Sequence, residues 1–128
     1  MNYDRFNNKS ILIWGYGREG KSTEQFLKRC ACPARVKIFE GKWEEIDGDY
    51  DYVIKSPGIV CEEENEKLTS QTEIFLETFR DQVIGITGTK GKSTTAALLA
   101  HVLKETLNRQ VILLGNIGEP CLNHFDEI

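Results

Sequence analysis

The chain has no long hydrophobic run. Its longest apolar stretches, Ile11 to Trp14, Ala96 to Ala100 and Val111 to Leu114, are a fraction of the roughly 20 residues a membrane-spanning helix needs. It also lacks an excess of positive charge. Sixteen Lys and Arg stand against 20 Asp and Glu, a net charge of −4, with a pI near 5.2. A surface for nucleic acid or for an anionic membrane needs clustered excess cations, so no nucleic-acid and no membrane partner is expected. The start, Met1 to Phe6, is polar and lacks the apolar core of a signal peptide. Zinc-site spacing is missing too. Cys30 and Cys32 have no second pair or nearby His, and Cys61 and Cys121 stand alone. Four reduced thiols in a cytoplasmic protein are the reading that follows. Only two histidines occur, His101 and His124, and neither has an evident partner.

What is present is an α/β pattern in 128 residues, room for one compact domain or a small one plus part of another. Ser10 to Trp14, Arg35 to Phe39 and Tyr52 to Lys55 read as buried strands bounded by Gly, Asp or Pro. Gly20 to Arg29 between the first two reads as a helix with Phe26 and Leu27 inward. Near-continuous apolar strands alternating with helices predict a Rossmann-like parallel sheet covered on both faces. The acidic run Cys61 to Glu66 reads as solvated surface. Glu73 to Phe79 reads as a helix with Ile74, Phe75 and Phe79 at helical spacing. This first unit is expected to span residues 1–81. In residues 82–128, Val83 to Thr87 reads as a strand and Lys92 to Leu107 as a helix with an Ala96, Leu99, Leu103, Leu107 stripe. Gln110 to Leu114 reads as a further strand. One strand–helix–strand unit cannot bury both faces of a sheet, so this unit is expected to be the incomplete start of a second α/β domain. Its apolar surface is expected to lie exposed and to invite self-association.

Two glycine loops carry the chemistry. In Gly88-Thr89-Lys90-Gly91-Lys92-Ser93-Thr94, glycines let successive backbone N–H groups turn toward phosphate oxygens at the start of a helix. Lys92 would reach the β- and γ-phosphates of ATP, and the Ser93 hydroxyl would take a place on Mg²⁺. The spacing is a short variant, since the standard loop needs Gly where this chain has Ile86. The alternative is a glycine turn into an ordinary helix. Gly15-Tyr16-Gly17-Arg18-Glu19-Gly20 follows a strand and opens a helix, with Glu40 at the end of the next strand. That context fits a dinucleotide fingerprint. The loop reads a pyrophosphate, so NAD through Glu40 and another diphosphate-bearing nucleotide both remain open. A structural glycine turn is the third possibility. Ser56-Pro57-Gly58 follows the third strand, where open α/β sheets bind ligands; a type II turn there would put Gly58 at the position needing positive φ.

The order of motifs, including Ser56 to Ile59, Gly88 to Thr94 and Gly115 to Gly118, resembles the Mur ligases along essentially the whole chain. Lys90 and Ser93 point to the branch that joins D-glutamate to UDP-N-acetylmuramoyl-L-alanine. The resemblance implies ATP-dependent amide formation. The muramoyl-alanine carboxylate takes the γ-phosphate, and the D-glutamate amine displaces it. It implies that Gly88, Thr89, Lys90, Gly91, Lys92, Ser93 and Thr94 hold the nucleotide, with Lys92 catalytic and Ser93 on the metal. It places the UDP part against Gly17 and the backbone amides of Arg18 and Glu19, with Glu40, Gly41 and Lys42 toward the uracil. Ser56 and Gly58 would line the pocket, and Asn116 would sit near the substrate junction. The family's usual acid-then-hydroxyl at the second strand end is Glu40-Gly41 here. Family members continue for several hundred residues that hold further Mg²⁺ ligands and the D-glutamate site. The expectation is therefore an N-terminal fragment, inactive alone. Two rival readings stand beside it: an NAD-dependent oxidoreductase fragment, and a non-catalytic nucleotide-binding module.

Overall fold

A computed structural model describes residues 3–115 and 118–128. Strand β1 (Ser10–Trp14) pairs in parallel with β2 (Arg35–Phe39) on one side and β3 (Tyr52–Lys55) on the other, in register Leu12 to Lys37 and Leu12 to Val53. A two-residue strand β4 (Leu68–Thr69) adds to β3, giving the order β2-β1-β3-β4. Alternation along the strands divides the core. Ile11, Ile13 and Ile54 point to one face, which α1 (Arg18–Cys30) and α2 (Gln71–Phe79) cover with Phe26, Leu27, Ile74, Phe75 and Phe79. Leu12, Trp14 and Val53 point to the other, where Tyr50 and the partly buried Trp43, Ile46 and Ile59 close over them. Around β1 and β3 both faces are covered, the second by connecting segments instead of a helix, whereas β2, expected as a buried strand, is an edge strand exposed from Arg35 to Ile38. The edge strand β2 keeps Val36 and Ile38 more than a third exposed.

The strand limits agree with the sequence reading, and the helix starts shift. Helix α1 begins at Arg18 because Gly17, in extended conformation, caps it. Helix α2 begins at Gln71 because Ser70 Oγ accepts the Glu73 N–H at 3.3 Å, a side-chain N-cap. Helix α3 spans Lys92–Leu107, as the stripe predicts, between Gly91 and Asn108, both in left-handed conformation. None of the helices is long and apolar enough to cross a membrane among the described residues.

The second unit departs from expectation in its strands. Val83 to Thr87 and Gln110 to Leu114 form no ladder, apart from a bridge between Leu114 and Glu119. A parallel strand needs a neighbour for its backbone groups, and neither segment finds one. With the inward face of α3 they line a cleft of about 1090 Å³ against α2, walled by Phe75, Ile84, Ile86, Leu99, Leu103 and Val111. Ile84, Leu98, Val102 and Leu107 stay exposed, whereas Ala96, Leu99, Leu103 and Val111 to Leu114, where the sequence reading put the bare apolar surface, are half-buried.

A 3-10 segment, Cys121–Glu127, then returns to the first unit. Leu122 and Phe125 are fully buried in the α1–α2 face of its core. Phe125 packs edge-on against Phe26 and Phe79, with ring centroids 4.8 and 4.9 Å apart. Arg29 ties the segment to α1 through Asp126 at 3.1 Å and Leu122 O at 2.8 Å. Residues beyond the second glycine loop thus complete the core built by residues that precede it.

Candidate functional site

The first loop sits at the carboxyl ends of β1, β2 and β3. Gly15, at φ +94°, lies so close to β3 that a Cβ there would meet Ser56 Oγ at 2.7 Å, and a Cβ on Gly20 would strike Gly15 O at 2.1 Å. These glycines let the turn fold flat against its own helix and the neighbouring strand. Gly17 differs, because its Cβ position opens on empty space. It leads into α1, whose first internal bond is Lys21 N–H to Gly17 O at 3.0 Å. The amides from Gly17 to Gly20 precede that bond and have no backbone acceptor among the described residues; Gly17 and Arg18 are exposed, Glu19 half-buried and Gly20 buried, at the positive end of the helix dipole.

Several predicted residues converge here. Tyr16 N–H donates to Glu40 Oε1 at 3.3 Å. Trp14 Nε1 donates to Gly41 O at 2.9 Å, and Lys42 caps the 3-10 turn Trp43–Glu45. Ser56 Oγ donates to Gly15 O at 3.3 Å. Arg18 Nη2 reaches Gly115 O at 3.2 Å, bringing Gly115 to the start of α1. Asn116 lies outside the described residues. The Ser56 turn closes through Ile59 N–H to Ser56 O at 3.2 Å. Gly58 does not have the positive φ that a type II turn requires, which corrects that expectation. Lys55, which the motifs did not single out, holds the turn from below through Ser56 O and Ile59 O at 3.1 and 2.7 Å. A lysine ending a buried strand was its only signal.

The second loop is open. Gly88 and Gly91 take φ of +145° and +78°, and Thr95 N–H closes onto Gly91 O at 2.9 Å. Thr89, Lys90, Lys92, Ser93 and Thr94 are all exposed at the N-terminus of α3. That geometry fits phosphate, with two glycines at positive φ before an exposed helix start and a lysine at the first helical position. For a divalent cation the loop offers the Ser93 hydroxyl. No group of three His, Cys, Asp or Glu side chains that could hold a metal occurs among the described residues. None of the hydrogen bonds among those residues joins this loop to the first.

One further group differs from expectation. His124 is not unpartnered: Nδ1 lies 2.7 Å from Glu127 Oε2 and Nε2 lies 2.9 Å from Glu119 Oε2. The Glu127 carboxylate raises the ring's pKa above its ordinary 6.5, partial burial opposes this, and Glu119 raises it further. All four cysteines are free. Burial, and then the charge of Glu19, push the Cys121 thiol up to about 11, so it stays protonated and unreactive.

The chain is 31% identical to the UDP-N-acetylmuramoylalanine–D-glutamate ligase of Oenococcus oeni, over 94% of this chain and 31% of that protein. With the enzyme of that name from Francisella tularensis subsp. novicida the identity is 35%, over 95% of this chain and 33% of the relative. A UDP-N-acetylmuramoyl-L-alanine–L-glutamate ligase of Xanthomonas euvesicatoria is 31% identical over 95% of this chain and 33% of its own. The chain spans about a third of the length of these curated relatives. No family model matches the chain, and no solved structure does.

Proposed function

We infer that this chain, which resembles the N-terminal part of the D-glutamate-adding Mur ligases over nearly all of its own length, holds a UDP-linked muramoyl substrate on its first glycine loop and the phosphates of ATP on its second. The observation that carries this reading is the start of α1. Gly17 opens on free space while Gly15 and Gly20 are fixed by close contact, so free amides gather at one point beside Ser56 and Gly41. A diphosphate suits that point, with its charge on the N–H groups of Arg18 and Glu19 and the helix dipole behind them. Glu40, Gly41 and Lys42 then face the base, and Ser56 and Gly58 the sugar side.

On the second loop the amides around Gly88 to Gly91 receive phosphate oxygens. Thr89, Lys90 and Thr94 flank them, and Lys92 neutralises charge on the transferred group. Ser93 places its hydroxyl on Mg²⁺, which when bound offsets phosphate charge. In the whole protein the substrate carboxylate would be activated as an acyl phosphate and taken by the amine of D-glutamate. D- and L-glutamate ligases are alike in their likeness to this chain, so the choice of amino acid is assigned to other parts of such proteins. Residues 1–81 and 82–128 would divide substrate and nucleotide between them, and this chain alone would not form the amide bond.

An NAD-dependent reading would set the Glu40 carboxylate on a ribose; its Oε1 accepts the Tyr16 N–H at 3.3 Å and Oε2 stays available, so binding has to separate the two readings. Calorimetric titration with UDP-N-acetylmuramoyl-L-alanine, with NAD as control, tests the proposal. Heat from the UDP compound alone is expected. Heat from NAD alone would reverse the assignment of the first loop.

A further inference from the structure

Gln71 opens helix α2 and is 5% exposed, yet all its polar atoms are engaged. Its Nε2 donates to Glu19 O at 2.8 Å and to Thr23 Oγ1 at 2.9 Å, and Thr23 Oγ1 donates in turn to Glu19 O at 3.0 Å. Its Oε1 accepts from the Cys121 thiol at 3.7 Å. Burying an amide among phenylalanines is costly unless every group is paired. An apolar residue beside Phe75 would cover the core without that cost. What the amide adds is direction: it grips one particular carbonyl, in the first turn of α1.

That carbonyl belongs to the peptide joining Glu19 to Gly20. The N–H of the same peptide is Gly20's, one of the free donors before the first internal bond of the helix. Gly15 O presses on Gly20 so closely that no Cβ fits. The peptide is therefore held from two sides, by a backbone oxygen against Gly20 and by the Gln71 amide on Glu19 O. Hydrogen bonds at a carbonyl also polarise its peptide, making the N–H a stronger donor.

We propose that Gln71 is a positioning residue for the anion-binding turn of α1, fixing and polarising the Glu19–Gly20 peptide for a diphosphate. The proposal rests on the reading that the first loop holds UDP. It assigns a part of the site to α2, and the Cys121 thiol couples the same amide to the segment that follows the Gly115 turn.

The test uses the full chain with Gln71→Met and Gln71→Glu, titrated with UDP and, as a ligand without phosphates, uridine. Both variants should bind UDP about tenfold more weakly, the loss expected for two hydrogen bonds, with uridine binding unchanged. In Gln71→Glu the deficit relative to the unmodified chain should shrink as pH falls, because a protonated carboxyl regains one donor. The Gly20 amide resonance should shift in both variants without ligand. Equal losses for UDP and uridine would reduce Gln71 to a packing role, and undiminished UDP binding would overturn the proposal outright. If the unmodified chain fails to bind UDP, the substrate reading falls. An unmoved Gly20 amide in Gln71→Met would then dispose of the positioning role as well.

Discussion

The loop from Gly15 to Gly20 is held on every side. Ser56 and β3 lie beneath it, Glu40 takes its amide, Gln71 holds its helix, and Arg18 reaches across to Gly115. The loop from Gly88 to Thr94 has the same ingredients, with glycines before a helix, but stands exposed between segments without strand partners. The glycines differ accordingly. Gly15 and Gly20 are required by close approach, whereas Gly88 and Gly91 have no close contact and are required only by positive φ. One motif is a product of its surroundings. The other is a local conformation whose surroundings are thin. A glycine-rich loop thus indicates that an anion can be bound, and its packing indicates how much of the rest of the protein depends on it.

The largest change should come from Phe125→Ala. This ring lies between α1 and α2, and its removal should cost about 3–5 kcal/mol. Urea unfolding followed by tryptophan fluorescence measures it, since Trp14 and Trp43 lie in the first unit; a loss below about 1 kcal/mol would detach Cys121–Glu127 from that unit's core. Next is Gly20→Ala, whose methyl meets a backbone oxygen. A cost of about 1–3 kcal/mol is expected, together with weaker UDP binding, whereas Gly91→Ala should leave UDP binding untouched. Binding of UDP by Gly20→Ala with unaltered affinity would contradict the close-packed account of the first loop.

Lys92→Ala should change stability by no more than about 0.5 kcal/mol, as for other exposed positions, and should lower ATP affinity by about tenfold or more. A pronounced fall in melting temperature would mean that the second loop is as embedded as the first. The smallest effect is that of pH on His124. Its folded pKa lies above 6.5, so the carboxylate clamp contributes fully below the unfolded value and is lost as pH rises through the folded one. Stability relative to His124→Gln should therefore decline as pH rises above about 6.5. A flat difference across neutral pH would mean that the two carboxylates do not shift the titration of the ring.

The parts of the fold that the sequence made legible are those where local pattern and tertiary contact agree. Strands β1 and β3 follow short apolar runs, β2 follows an alternation of Val36, Ile38 and charged residues, and α3 follows its stripe. The first turns of α1 and α2 depend on caps at Gly17 and Ser70, which precede the apolar periodicity, so the periodicity alone began both helices two residues late. Strand β4 is too short to leave a pattern. Val83 to Thr87 and Gln110 to Leu114 have strand composition but no partner, and composition cannot supply one. In the candidate site the glycines and Ser56 could be found from motifs. Gln71 and Lys55 could not, because their value lies in which carbonyls they meet. Leu122 and Phe125 were equally hidden, having no repeat around them.

The return of Cys121–Glu127 also changes how the chain can be cut. Leu122 and Phe125 rejoin the core that Phe79 leaves, so most of the chain from Gln82 to Leu113 is an excursion that departs from one packed body, with Leu114 and Gly115 already touching it again. Such a segment behaves as an insertion, and insertions at surface sites exchange readily for short linkers. Joining Asp81 to Pro120 through a few flexible residues should yield a minimal protein that keeps the first loop. Ending the chain at Asp81 would remove two fully buried side chains and leave their cavity behind.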